Sequence, residues 1–309
     1  MGSERMEILL AACNGEAYLR AQIDSILSQQ DPRWHLTVSD DGSRDSTVCI
    51  LDGYARRFPE RISRVEAGRT FGCARDHFFF LMQQCDADYI MFSDQDDVFY
   101  PQKVGTMLEA MLAAERSAGK GTPVLVFSDQ RPTDAQLRPL APSLMRYQRQ
   151  STTDFDYRSL LMQNTVTGGA MAINRALAGM GGRCADPSGV VMHDGWLAAV
   201  AARFGRIVYI DEPLSDYRQH AGNSVGAKHV GSAAYVLHEL SQLGMLQKKI
   251  RCKKRQAQVF LQTYAAQLNE EDAAFLSGFA QERSGPLFYM KNREHLHGFM
   301  RRVGMMLLG

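Results

Sequence analysis

The chain has 309 residues, 45% hydrophobic and 22% charged, a composition that argues against disorder and allows one large domain or two modest ones. A formal net charge of +1 gives no global field that would mark a nucleic-acid binder. Six scattered cysteines with no C-x-x-C pair argue against a zinc site and a disulfide framework and fit a reducing cytosol.

Residues 1–6 lack the apolar core of a signal peptide, and no apolar run approaches the roughly 20 residues a membrane-spanning helix needs, so a cytoplasmic location is expected. Residues 7–12 are a continuous apolar run, the pattern of an interior parallel strand, which Cys13-Asn14-Gly15 breaks. Ala17, Leu19, Ile23, Ile26 and Leu27 recur at helical spacing and predict a helix over about 16–29, stopped by Asp31-Pro32. Residues 35–39 read as a second strand ending in Asp40-Asp41-Gly42-Ser43, ahead of a helical stretch to about 58. A third strand over 62–66 and a third helix over 72–84 follow. The fourth strand, 89–92, ends in Asp94, Asp96 and Asp97. This alternation predicts an α/β fold with a Rossmann-like, mostly parallel sheet flanked by helices.

Ligands in such sheets sit at the carboxyl ends of the strands. Loops there carry Cys13-Asn14, Asp40-Asp41 and Asp94 to Asp97. An acid pair after the second strand suits the N–H and O–H donors of a base or ribose, and suits a turn with a helix cap equally well. Acids as close as Asp94, Asp96 and Asp97 repel one another unless a cation or a donor-rich ligand lies between them. Asp-x-Asp suits a hard divalent cation; the plainer reading is a solvated acidic turn.

In the second half, 126–129 reads as a strand, followed by an irregular segment with Pro132, Pro139 and Pro142. Asn164 to Arg175 contains the pair Gly168-Gly169, which lets a backbone or a sugar approach closely. Met192-His193-Asp194-Gly195-Trp196-Leu197 opens an apolar helix to about 204, and a strand over 206–210 leads to Tyr217-Arg218-Gln219-His220. From about 226 the character changes. A long helical region over 233–268 carries the basic run Lys248-Lys249-Ile250-Arg251-Cys252-Lys253-Lys254-Arg255. A helix over 270–281 and a tail that mixes apolar and basic residues complete the chain.

The segments Ile8 to Gly15, Asp40 to Ser43 and Ser93 to Asp97, in this order and spacing, resemble the inverting family-2 glycosyltransferases, which have the GT-A fold. The blocks around Gly168, Asp194 and His220 are similar to the bacterial rhamnosyltransferase-like branch, which assembles surface polysaccharides. The resemblance covers roughly residues 7–226 and implies a catalytic domain over 6–225 with a helical C-terminal extension over 226–309.

It implies that Ala11, Cys13, Asn14, Glu16, Asp40, Asp41, Arg75, Asp94 and Arg218 bind the nucleotide sugar. Asp96, Asp94 and His220 would hold Mg²⁺ or Mn²⁺, with Asp94 on the ribose or on the metal through water. Asp97 is open to a structural role, and His220 to a structural or surface one. Gly168, Gly169, His193 and Trp196 are expected on the acceptor, although a buried Trp is more often core. Asp194, at a helix N-terminus that favours its ionised form, is expected to be the general base and also fits an N-cap.

Two departures stand out. Cys13 replaces a usual Tyr, which removes an aromatic wall near the base, and Gly195 replaces a bulkier residue, which is expected to open the acceptor pocket. The expected activity is metal-dependent, inverting transfer of a sugar from dTDP-rhamnose or a UDP-sugar to a glycan or lipid-linked acceptor, with no nucleic-acid partner. The basic C-terminal helices suit peripheral contact with the inner face of a membrane, or docking on the catalytic domain with a solvated basic face. Two rivals stay open. A sugar-phosphate nucleotidyltransferase needs a Gly-rich basic loop after the first strand, and Cys13-Asn14-Gly15-Glu16 is neither; a non-catalytic nucleotide- or glycan-binding module needs no base.

Overall fold

The structure, a computed structural model, describes residues 4–220, 243–281 and 285–296. The expected boundary at 225/226, the helix start at 233 and the tail beyond 296 lie outside the described residues.

Strands β1 (Met6–Ala12), β2 (Trp34–Asp40), β3 (Ile62–Arg64), β4 (Tyr89–Ser93), β5 (Val98–Phe99), β6 (Val124–Thr133), β7 (Met171–Asn174) and β8 (Arg206–Arg218) form one sheet in the order β3-β2-β1-β4-β7-β6-β8-β5. The first half is parallel, with β1 between β2 and β4. β7 then enters antiparallel between β4 and β6. β8 pairs parallel to β6 and antiparallel to β5. The predicted α/β class holds, and the sheet is mixed because of β5 and β7. The segment expected as a strand over 206–210 continues to Arg218, with register shifts beside Asp129.

Two apolar layers cover the sheet, because alternate residues of a strand face opposite sides. Ile8, Leu10 and Met91 pack against helices α1 (Leu19–Leu27), α2 (Thr47–Arg57) and α4 (Lys103–Ala118). Leu9, Ile90 and Phe92 pack against α3 (Ala74–Gln83), α6 (Tyr157–Met162) and α8 (His193–Phe204). The short helices α5 (Leu144–Tyr147) and α7 (Arg175–Gly181) complete the first 220 residues.

Beyond them lie α9 (Leu243–Tyr264), α10 (Glu270–Ala280) and α11 (Gly285–Lys291). Ile250, Phe260, Tyr264, Phe275 and Phe279 join the same core as Trp196 and Leu197 of α8. Asp272 of α10 is 4% exposed and accepts from Tyr157 Oη, Arg158 and Arg203, so charge as well as apolar surface fastens these helices. Within the basic run, Lys253 donates to Met162 O, Lys254 to Gln281 O and Arg255 to Asp186. Lys248, Lys249 and Arg251 are exposed. No helix among the described residues is long and apolar enough to cross a membrane.

Candidate active site

Glycines 168 and 169 form the seam of the site. They make a tight turn just before β7. The Gly168 amide donates to Asp194 Oδ2 at 3.1 Å, and the next residue, Gly169, packs directly against the Asp94 carboxylate. Two successive glycines therefore each meet one acid, Asp194 from the first turn of α8 and Asp94 from just past the end of β4. No side chain fits on this seam. A Cβ at Gly169 would stand 2.9 Å from Asp97 Oδ2 and 3.0 Å from Asp94 Oδ2, and one at Gly168 would stand 2.9 Å from His193 Nε2.

Asp194 is oriented by three donors. Asn164 Nδ2 and the Gly195 amide reach Oδ1, and the Gly168 amide reaches Oδ2. Burial pushes its carboxyl up to about 6. Asp94 is pushed up to about 7, first by burial and then by the charges of Asp96 and Asp194, so the acids at the ends of β4 and α8 feel one another. Asp97 is fully buried and raised well above the usual range by burial and by Asp96 and Asp94. It accepts from Gln130 Nε2 and the Arg218 amide, which is the structural role left open for it.

Asp96 meets His220, with Oδ2 2.7 Å from Nε2, and both keep some exposed surface. The His220 ring lies against Tyr18. Of the residues expected as metal ligands, Asp96 and His220 thus touch each other, and Asp94 feels the charge of Asp96. Among the described residues no group of three or more His, Cys, Asp or Glu side chains could hold a metal ion alone.

The loop after β1 is clamped by Gln95, which accepts from the Cys13 amide at 2.8 Å and donates to the Cys13 carbonyl at 2.9 Å. Asn14 takes positive φ (48°) and accepts from the Arg44 amide, while Glu16 accepts from the Ser46 amide. These side chains tie the loop to the start of α2. Ala11 lies on β1, paired with Ser39. Asp40 accepts from the Ser43 amide and hydroxyl, and lines a cleft of about 430 Å³ with Arg64, Glu66, Arg69 and Thr70 beyond the ends of β2 and β3.

Several expectations are corrected here. Trp196 is 0% exposed and donates from Nε1 to Gly181 O. It stacks on Tyr264 and meets Phe260 edge-on, so it is core and cannot touch an acceptor. His193 is 3% exposed between Phe78 and Phe92, and burial drives its imidazole down to about 3; it lies beneath Gly168, out of an acceptor's reach. Gly195 opens no pocket, because Asn164 fills the space beside it, 3.3 Å from where a Cβ would stand.

Arg75, expected on the nucleotide sugar, spends its guanidinium on Asp76 and the carbonyls of Ser188 and Val190. Asp41 is 5% exposed and holds the Phe71 and Gly72 amides, so it shapes the loop beside the cleft instead of facing a base. Arg218 donates from Nε to Asp96 O and from Nη1 to Ala135 O, bracing the acidic turn through its backbone.

Gln95, Asn164, Lys103 and Gln130 were not among the expected site residues. Gln95 had a signal, since it sits inside the acidic motif. Asn164 opens the block that carries the glycine pair, but its bond to Asp194, 30 residues away, had no local signal, and neither had the bond of Gln130 to Asp97, 33 residues away.

The family model for glycosyl transferase family 2 matches residues 7–178. The chain is similar to the dTDP-rhamnosyl transferase RfbG of Shigella flexneri, 26% identical over 254 residues that span 78% of this chain and 80% of that protein. Its fold is similar to that of S. aureus TarS 1–349, with a TM-score of 0.57 and 13% identity, covering 89% of this chain and 70% of that one. It is similar also to the mannosyltransferase PcManGT from Pyrobaculum calidifontis, solved with GDP-Man and Mn²⁺, with a TM-score of 0.51 and 16% identity over 98% of this chain and 86% of that one.

Proposed function

The chain belongs to glycosyl transferase family 2, and from that premise we propose that it moves rhamnose from dTDP-rhamnose to a hydroxyl of a glycan or lipid-linked acceptor, inverting the anomeric carbon, in the synthesis of a bacterial surface polysaccharide. The donor assignment draws on the similarity to a dTDP-rhamnosyl transferase. The observation that carries the chemistry is the seam, on which adjacent glycines bring Asp94 and Asp194 together.

Asp194 is the base of this reading. Its three donors fix the carboxylate, and a pKa near 6 leaves it ionised yet basic at neutral pH. It takes the acceptor proton as the oxygen attacks the anomeric carbon from the face opposite the diphosphate. One displacement with one base needs no covalent intermediate and inverts the centre. The 430 Å³ cleft beside Asp40 is large enough for a nucleobase, and the Cys13 to Glu16 loop leads from it toward the acids.

Mg²⁺ or Mn²⁺ fits as a guest of the substrate. Such ions take one or two protein carboxylates and complete their shell with phosphate oxygens and water, and the crowding that raises Asp94 and Asp97 favours a cation. Asp96, Asp94 and His220 would hold the ion, which when bound offsets charge on the departing diphosphate. The acceptor is proposed to lie at an anionic membrane surface, met by the exposed Lys248, Lys249 and Arg251 of α9.

A thermal-shift panel of dTDP-, UDP- and GDP-sugars, with and without Mn²⁺, tests donor and ion together. dTDP-rhamnose is expected to stabilise most, and Asp96→Ala to remove the Mn²⁺-dependent part. A wild-type shift that is the same in Mn²⁺ and in EDTA, or a Mn²⁺-dependent part that survives in Asp96→Ala, overturns the metal assignment.

A further inference from the structure

Lys103 is a fully buried cation that the reaction above does not use. It opens α4 and is 0% exposed. Both facts disfavour an ammonium there. A buried charge needs partners, and the start of a helix carries partial positive charge of its own. Burial pulls its pKa down to about 7 in spite of the opposing pull of Asp97 and Asp94.

The surroundings show what holds it. Nζ donates to Gly169 O at 2.7 Å and to Ser215 Oγ at 3.3 Å, and lies 3.7 Å from the centre of the Phe99 ring. Gln130 Nε2 bridges Ser215 Oγ and Asp97 Oδ2, each at 3.2 Å, which links the ammonium to that acid. The carbonyl that Lys103 grips is that of Gly169, the residue packed against Asp94 and Asp97 whose neighbour's amide holds Asp194.

We propose that Lys103 is a positioning residue: its ammonium is the buried counter-charge of Asp94 and Asp97, keeps the two acids side by side when no cation is present, and pins the Gly169 peptide that spaces Asp94 from Asp194. The pairing acts across Gly169, against which both acids lie, and through the Ser215–Gln130 bridge to Asp97. Its consequence for transfer rests on the reading of Asp94 as part of the donor site.

The first test is a double-mutant cycle by thermal unfolding in EDTA. Removing one partner of a buried charge group leaves the other uncompensated, whereas removing both does much less harm. Lys103→Met is expected to lower Tm, and Lys103→Met/Asp97→Asn to recover part of the loss. If Lys103→Met does not fold, recovery of soluble, folded protein in the double variant is the same rescue. A double variant that melts at or below Lys103→Met, or that is equally insoluble, overturns the proposal.

The second test titrates Mn²⁺ alone. Deleting one positive charge beside the acids should tighten Mn²⁺ roughly tenfold in Lys103→Met, while Lys103→Arg stays near wild type. A side chain that acts by packing alone leaves all three affinities equal, and that result also overturns the proposal. Wild-type protein that binds no Mn²⁺ counts instead against the metal reading, and the stability cycle then decides Lys103.

Discussion

Asp194→Asn removes the proposed base and keeps its shape. Asn164 Nδ2 and the amides of Gly195 and Gly168 all donate to this carboxylate. A side-chain amide turns an N–H toward at least one of them, which costs about 1–3 kcal/mol. Against this, burial moves the carboxyl from 3.8 to about 6, so keeping it ionised at pH 8 costs about 3 kcal/mol, which a neutral amide does not incur. The two effects offset to within about 2 kcal/mol, and the variant is expected to fold.

Its transfer rate is expected to fall about 100- to 10,000-fold, the usual contribution of a general base. The pH dependence carries a second signature. A folded pKa raised above the unfolded value means that the group's contribution to stability is present below about pH 4, is lost as pH rises to about 6, and is flat above that. Wild-type kcat/KM should rise through about pH 6, and both the acid limb and the stability slope should be absent in Asp194→Asn. Initial rates of nucleoside diphosphate release from pH 5 to 8, beside thermal melts, measure both. A folded variant that keeps more than about a tenth of the wild-type rate, or an unchanged acid limb, refutes the assignment.

Gly169→Ala should lower the rate about 100-fold by displacing Asp94, whereas Gly179→Ala, where a Cβ meets nothing within 4 Å, should leave it unchanged. Equal rates for the two variants would remove the seam from the mechanism. Trp196→Ala should cost about 3–5 kcal/mol of stability in a chemical melt and leave the acceptor KM of the folded enzyme unaltered; a raised KM at unchanged stability would restore its acceptor role. Charge reversal of Lys248, Lys249 and Arg251 together should abolish sedimentation with phosphatidylglycerol vesicles, since each basic residue near an anionic surface contributes about 1 kcal/mol. Equal sedimentation of both proteins would refute the membrane surface.

The strand-and-helix order of the first hundred residues was legible because it is local. Buried strands such as Met6–Ala12 are apolar runs, and α1 shows its apolar residues at helical spacing. The acid motif was legible for the same reason, as was the start of α8 at His193. Residue roles were less so. Asp41 and Asp94 look alike as acids after strands, yet one holds the amides of a neighbouring loop and the other packs against the diglycine. Trp196 and Gly195 were misread because their surroundings come from α9 and from Asn164, which no local pattern reveals. Lys103 shows the limit most clearly. A lysine ahead of Val104, Met107 and Leu108 looks like an ordinary helix start, and only the folded sheet brings Gly169 and Ser215 to it.

The backing of α8 by α9 has a practical consequence. Trp196 rests on Phe260 and Tyr264, and Tyr264 Oη is tied to Met180 O. A chain cut after β8 would retain every residue assigned here to donor and base except His220, yet the helix bearing Asp194 would have its aromatic flank in water. Such a fragment is a poor starting point for trimming the enzyme to a minimal catalyst. Helices α9 and α10 are better treated as the wall against which the helix bearing Asp194 is built, and chimeras that exchange acceptor preference should carry them together.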